Sequence, residues 1–209
     1  MIENYINRVA MAIDNAMNDV TKLPQSVFTI PGMSSRENRI LLNELIKEDD
    51  KYLEIGVHKG STFVSAMYNN NATAVAIDNF SQFGNYEENK RWFDQSCNEH
   101  NISNFTFINA DCFNLSEEQK EIVKGTNVYF YDGDHRAEDQ ENALTYYLDL
   151  LTNQFIFIVD DWNHEPAKNG TQIGLNKCGL KVHKEWILTN HTTSKNWHNG
   201  LYVAVLEKT

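Results

Sequence analysis

Cysteine is scarce in this chain. There are three in 209 residues, Cys97, Cys112 and Cys178. An odd number with no CxxC pair excludes a disulfide framework and a cysteine zinc site, and points to free thiols in a reducing cytoplasm. Proline is equally rare, at three, and no Gly/Ser-rich or Pro-rich stretch marks a linker. Long apolar runs are missing. The longest strongly apolar run is Phe155–Val159, far too short to span a bilayer. The first residues carry no basic segment followed by an apolar run, so no signal peptide is expected and the expected location is cytoplasmic. Basic charge is in deficit as well: 18 Lys and Arg against 29 Asp and Glu leave a net charge of -11. A nucleic-acid partner needs a basic face, and no Lys/Arg cluster is seen, so a small molecule is the expected partner, with no nucleic acid and no membrane. There is no internal repeat.

What is present suffices for one α/β domain. Hydrophobic residues make up 41% of the chain, enough for a real core. Ile2, Ile6, Val9, Ile13, Ala16 and Val20 form one stripe on a helix over residues 2–20. Pro24 and Pro31 punctuate the loop that follows, and Ser34 or Ser35 caps a second helix ending near Lys47. From there strands and helices alternate. Strands are expected over Lys51–Val57, Ala72–Asp78, Asn104–Ala110, Asn127–Asp132 and Gln154–Asp160. Helices are expected over Ser61–Tyr68, Glu87–His100, Ser116–Val123 and Glu138–Leu151. Lys181–Thr189 and Gly200–Glu207 read as a closing strand pair. The pattern predicts a Rossmann-like, mainly parallel seven-stranded sheet with a terminal antiparallel pair and helices on both faces. It divides the chain into an N-terminal helical extension and lid, residues 1–50, and a ligand-binding domain, residues 51–209.

The acids fall in a pattern. Glu54 lies near the end of the first strand, and the next four strands end at Asp78, Asp111, Asp132 and Asp160. Acids are 29 of 209 residues, so one at each of five successive strand ends is more than strand-ending and helix-capping preference explains. Ligands of open α/β sheets bind outside the carboxyl ends of the strands, so these acids face one crevice. The first loop, Glu54-Ile-Gly-Val-His-Lys-Gly60, has Gly56 for a tight turn and Gly60 for close approach of a ligand to the backbone. It carries two glycines, not the three of the dinucleotide fingerprint. Asp78 ends the next strand, where an acid accepts both hydroxyls of a ribose.

Residues 51–160 resemble the class I S-adenosylmethionine-dependent methyltransferases. Tyr52-Leu-Glu-Ile-Gly-Val-His-Lys-Gly-Ser-Thr62 matches their first motif and Ala76-Ile-Asp-Asn-Phe80 the ribose-binding second. The resemblance implies that Glu54, Gly56, Gly60, Ser61, Asp78 and Asn79 bind S-adenosylmethionine. It places Asp111 and Cys112, in Asn109-Ala-Asp-Cys112, against the adenine. Asp132-Gly-Asp-His135 and Val159-Asp-Asp161 are similar to the metal-dependent O-methyltransferase subgroup that includes macrocin-like and catechol-like enzymes. One departure is the helix-to-strand link Thr152-Asn-Gln154, where the family often has Pro-Gly-Gly.

Asp132 and Asp160 lie 28 residues apart, one strand–helix–strand unit, so their strand ends sit side by side. Converging carboxylates repel and need a cation, protons or basic partners. All-oxygen ligands suit Mg²⁺, Mn²⁺ or Ca²⁺ rather than Zn²⁺. The resemblance assigns Asp132, Asp160 and Asp161 as metal ligands and places a catalytic base at His135, three residues after the catalytic Asp132; Asp134, two residues from Asp132, is a substitute ligand by position. A histidine titrates near neutrality and can take a hydroxyl proton. The expected activity is divalent-metal-assisted O-methylation of a small hydroxylated acceptor. A nicotinamide-dependent Rossmann oxidoreductase and a non-catalytic cofactor-binding or assembly domain are the alternatives. Ile30–Ser35 is a lid over the cofactor, His164 a reach toward the acceptor, and Trp186 and Trp197 are core or pocket wall. The N-terminal helix is too short to stand alone; it buries its stripe on its own domain or across a homodimer.

Overall fold

The computed structural model describes residues 2–193 and 195–209. Three helices precede the sheet: α1 (Ile2–Met17), a single turn α2 (Gln25–Phe28) and α3 (Arg36–Leu45). Ser35 caps α3 by accepting from the Asn38 amide. Then follow β1 (Lys51–Ile55), α4 (Ser61–Met67), β2 (Thr73–Ile77), α5 (Tyr86–Glu99), β3 (Phe105–Ile108), α6 (Glu117–Val123), β4 (Thr126–Tyr131), α7 (Ala137–Thr145), β5 (Leu151–Val159), α8 (Glu165–Lys177), β6 (Lys181–Leu188) and β7 (Leu201–Glu207). The seven strands lie in the order β3-β2-β1-β4-β5-β7-β6. β1 to β5 are parallel, and β7 runs antiparallel to both β5 and β6. This is the Rossmann-like sheet with a terminal antiparallel pair that the alternation predicts.

Period-two alternation sorts the strand residues into two cores. Tyr52, Ala74, Ala76, Phe130, Ile156, Ile158 and Val203 face the side covered by α1, α3, α4 and α5. Leu53, Val75, Ile77, Tyr129, Phe155, Phe157 and Ala204 face α6, α7 and α8. The segment before β1 is part of the first core: Val9, Ala12 and Ala16 of α1 and Ile40, Leu41 and Leu42 of α3 are buried in it. α1 packs mainly on α3, and also touches β5 and β7.

Three elements differ from expectation. The helix expected to run to Leu151 ends at Thr145, followed by a 3₁₀ turn at Leu148–Leu150. β5 begins at Leu151, so Thr152-Asn-Gln154 lies inside a strand and is not a link. Polar Asn153 and Gln154 sit at the open lower end of the sheet, where Gln154 pairs with Glu207. Residues 165–177 form a helix, α8, that the apolar pattern did not reveal. No helix among the described residues is long and apolar enough to cross a membrane.

Strand order reverses between β1 and β4. A crevice opens there above the carboxyl ends, at the topological switch point where such folds bind ligands.

Candidate active site

The loop from β1 to α4 forms the floor. Gly56 adopts φ +88°, and a Cβ on it would collide with the Asp132 carbonyl oxygen. Only glycine lets the first loop pass so close to the end of β4. Asp78, just past β2, accepts from the His58 amide at 2.8 Å and the Phe80 amide at 2.7 Å. Those bonds fix its carboxylate at the rim, with each oxygen retaining acceptor capacity. Burial pushes its pKa up, against the two amides.

Glu54 sits behind the loop. It is wholly buried, and its two oxygens accept from the Tyr52 hydroxyl at 2.5 Å and the Thr62 hydroxyl at 2.6 Å. Burial raises its pKa to about 7. It braces the first turn of α4 and does not line the cleft. Gly60, the left-handed cap of α4, faces Phe93 rather than the cleft.

The cleft has a volume of about 500 Å³, within the roughly 300–1,000 Å³ of small-molecule sites. Gly56, Ser61, Asp78, Asn79, Asp111 and Cys112 all line it. Burial pushes the Cys112 thiol up to about 12, so it is a neutral, weakly polar wall. Met33 and Ser34 of the expected lid segment also line the cleft. Ser34 Oγ lies 3.3 Å from Ser61 Oγ and accepts from Arg39 Nε at 2.9 Å. The buried Arg39 also donates to the carbonyls of Val27 and Ile30, which straps the segment down.

At the far end Asp132, Asp160 and Asp161 each bring one carboxylate oxygen within 4.8 Å of the others. Burial, then the Asp160 charge, pushes Asp132 well up. Burial, then the Asp161 charge, pushes Asp160 up to about 8. Asp160 Oδ1 is buried and has no hydrogen-bond partner, a costly state for a carboxylate. Among the described residues no Lys or Arg forms an ion pair with any of the three. The donor set is all oxygen, crowded and short of positive charge, which fits a hard divalent cation.

His135 Nε2 lies 2.5 Å from Asp161 Oδ2, and that bond raises the His135 pKa. Burial raises Asp161, but the His135 bond outweighs it and the net shift is downward. The His164 ring lies 5.2 Å from the His135 ring, and its Nε2 is 4.0 Å from Asp161 Oδ1. Asp134 is turned aside: its oxygens accept from the Arg136 amide and from Gln82, across the cleft. Trp197 is wholly buried and Trp186 packs against the first core; neither lines the cleft.

Sequence reasoning missed Tyr52 and Thr62, the partners of Glu54, although Tyr52 shares its face by strand alternation. It also missed Arg39, Gln82 and Asn199, whose amide donates to Asp161 Oδ1 at 2.6 Å. Those contacts join distant loops and leave no local pattern.

The sequence profile of a family described as a methyltransferase domain matches residues 53–162, just over half the chain. No curated protein matches. Among solved structures, the chain is similar to a candidate O-methyltransferase from Klebsiella pneumoniae, at 11% identity and a TM-score of 0.60, covering 95% of this chain and 89% of that one. It is similar to the SAH-bound methyltransferase of Podospora anserina, at 12% and 0.58, covering 97% and 88%. It is also similar to a candidate rRNA methylase from Clostridium thermocellum, at 14% and 0.54, covering 83% and 96%. At these identities the likeness is one of fold. The chain spans about half the length of three further structures it matches, 50%, 48% and 52%.

Proposed function

The chain belongs to the methyltransferase-domain family, and on that premise we propose that it moves the methyl group of S-adenosylmethionine to a hydroxyl oxygen of a small acceptor, assisted by a divalent cation. The observation that carries the metal-assisted part is the buried, unpartnered Oδ1 of Asp160, a member of the three-acid cluster at the end of the cleft. Asp78 receives the ribose hydroxyls, held in place by the amides of His58 and Phe80. Asn79, Asp111 and Cys112, which line the same cleft, would border the adenine. Asp132, Asp160 and Asp161 would hold a divalent cation, which would lower the pKa of an acceptor hydroxyl. His135 takes the hydroxyl proton. Bound S-adenosylmethionine would supply an electrophilic sulfonium methyl, and transfer would form an O–C bond as the S–C bond breaks, releasing neutral S-adenosylhomocysteine. The cleft walls contribute alignment of donor and acceptor.

Calorimetric titration with S-adenosylhomocysteine, with and without Mg²⁺, tests both halves. Asp78→Ala removes charge-assisted bonds of about 1.5–3 kcal/mol each and is expected to weaken binding of this product at least 10-fold. The double change Asp160→Asn with Asp161→Asn is expected to remove Mg²⁺ binding and leave product binding within a few-fold. Undiminished affinity in a folded Asp78→Ala protein overturns the cofactor site. Methyl transfer that survives both chelation and the double change overturns the metal.

A further inference from the structure

Asn199 lies on the loop between β6 and β7, far from the acids in sequence, yet it completes their geometry. Its amide donates to Asp161 Oδ1 at 2.6 Å, while Asp161 Oδ2 meets His135 Nε2. A carboxylate turns broadly about its last torsion; a donor on each oxygen stops that rotation. The loop is anchored to deliver this amide. Trp197 is wholly buried, its amide held by Asn190 Oδ1 at 2.9 Å and its indole N–H by Thr193 Oγ1 at 2.8 Å. The Asn199 carbonyl accepts from the Asn163 amide at 2.8 Å, and the Gly200 carbonyl from the Trp162 amide at 3.0 Å. Gly200 adopts φ +87°, and a Cβ there would press on the Asn163 side chain at 3.0 Å. Main-chain bonds thus lace residues 199–200 to the turn that carries Asp161, itself left-handed at φ +56°.

We propose that Asn199 is a positioning residue: by holding Asp161 Oδ1 it presents Oδ2 to His135, fixes the ring as the Nε2–H tautomer, and leaves the Nδ1 edge turned away from Asp161. An ionised carboxylate only accepts, so the nitrogen at hydrogen-bond distance from Asp161 Oδ2 is the one that carries the hydrogen. That nitrogen is Nε2, and the ring's lone pair then resides on Nδ1. An acceptor hydroxyl must therefore approach the Nδ1 edge of His135. The catalytic meaning of this arrangement rests on the methyltransferase reading; the tautomer does not.

The test is a long-range ¹H–¹⁵N correlation spectrum of histidine-labelled, cation-free full chain, recorded with the imidazole neutral for the wild type, Asn199→Ala and the uncharged, similarly sized Asn199→Leu. The wild type is expected to show His135 as the Nε2–H tautomer with a hydrogen-bonded proton. Both variants are expected to lose that signal and show mixed tautomers. Their kcat is expected to fall about 10–100-fold, the usual range for an outer-shell partner, with S-adenosylhomocysteine affinity within twofold. Asn199→Leu keeps the bulk and loses the donor without adding a charge beside Asp161, so a merely packing role would leave it like the wild type. An Nε2–H tautomer that persists in either folded variant, or an Nδ1–H tautomer in the wild type, overturns the proposal. If the tautomer shifts as expected and no methyl transfer is found in any form, the positioning role stands and the proposed activity is what fails.

Discussion

At the residue scale, the acids at the strand ends do three different things, and position along the strand decides which, since Glu54, Asp78, Asp132 and Asp160 share one parity. Asp78, Asp132 and Asp160 each follow the last strand residue and reach the cleft. Glu54 is still inside β1, on the Tyr52 face, so it turns away into the core. The list of acids was legible in the sequence; the division of labour needed the strand boundaries to within one residue. Their burial has a measurable consequence. Asp160 is raised from an ordinary 3.8 to about 8, so between those values the folded chain holds a proton the unfolded chain lacks. Stability is then full below about pH 4 and is lost as the pH rises through about 8. Asp132 acts in the same direction, as does Glu54 up to about 7. The cation-free protein is therefore expected to melt at a lower temperature at pH 8.5 than at pH 5.5. Mg²⁺ is expected to raise the melting temperature more at pH 8.5, where the carboxylates are free to bind it. Asp160→Asn is expected to reduce the pH dependence and abolish the Mg²⁺ effect. Scanning fluorimetry across this pH range checks all three, and a profile equally flat in wild type and variant would sink the argument.

At the scale of elements, what could be read depended on what carries the pattern. α1 was legible because its stripe is Ile, Val and Ala. α8 has an equally regular buried set, Ala167, Gly170, Thr171, Gly174 and Leu175, but small and polar residues carry it. The reason is close packing: a Cβ on Gly170 would collide with the Ala137 carbonyl of α7. The surviving signal was Glu165-Pro166, an acid and a proline in a first helical turn. α1 also shows how an element is tied down. Arg8 makes a two-pronged pair with Asp50, at 3.1 and 2.7 Å. Asn127 and the Lys47 amide satisfy the same carboxylate. The face of α1 left outside carries Glu3, Asn4, Asn7, Ala10, Met11 and Asp14, and a homodimer through this helix has to use that polar face. Arg8→Met is expected to cost about 3 kcal/mol, toward the low end for breaking a buried pair because Asp50 keeps two donors. Urea unfolding measures it. Sedimentation of a chain lacking residues 1–20 is expected to show no change from dimer to folded monomer, since the helix fills its own domain's core; such a conversion would assign the interface to α1.

At the scale of the whole molecule, the net charge of -11 bears on the acceptor. The fold alone does not choose one: similar structures include both a candidate O-methyltransferase and a candidate rRNA methylase. Charge does discriminate. RNA binding draws most of its affinity from Lys and Arg neutralising phosphates, and weakens steeply with salt. Here the cleft ends in three carboxylates, and among the described residues the one arginine that lines it, Arg136, is already paired with Asp134 and Asp139. An approaching phosphate backbone meets repulsion that a divalent cation or a neutral hydroxylated molecule does not. Structured RNA is therefore expected to show no binding by fluorescence anisotropy at 0.15 M salt, and no transfer of labelled methyl from S-adenosylmethionine. Mg²⁺ affinity is expected to fall as monovalent salt is raised, because the attraction of an acidic cleft for a cation is screened over a Debye length of about 8 Å at that ionic strength. Micromolar RNA binding with label incorporated into the RNA would reverse the assignment of acceptor class while leaving the cofactor site as proposed, because the Asp78 end of the cleft and the three-acid end are separate tests of separate chemistry.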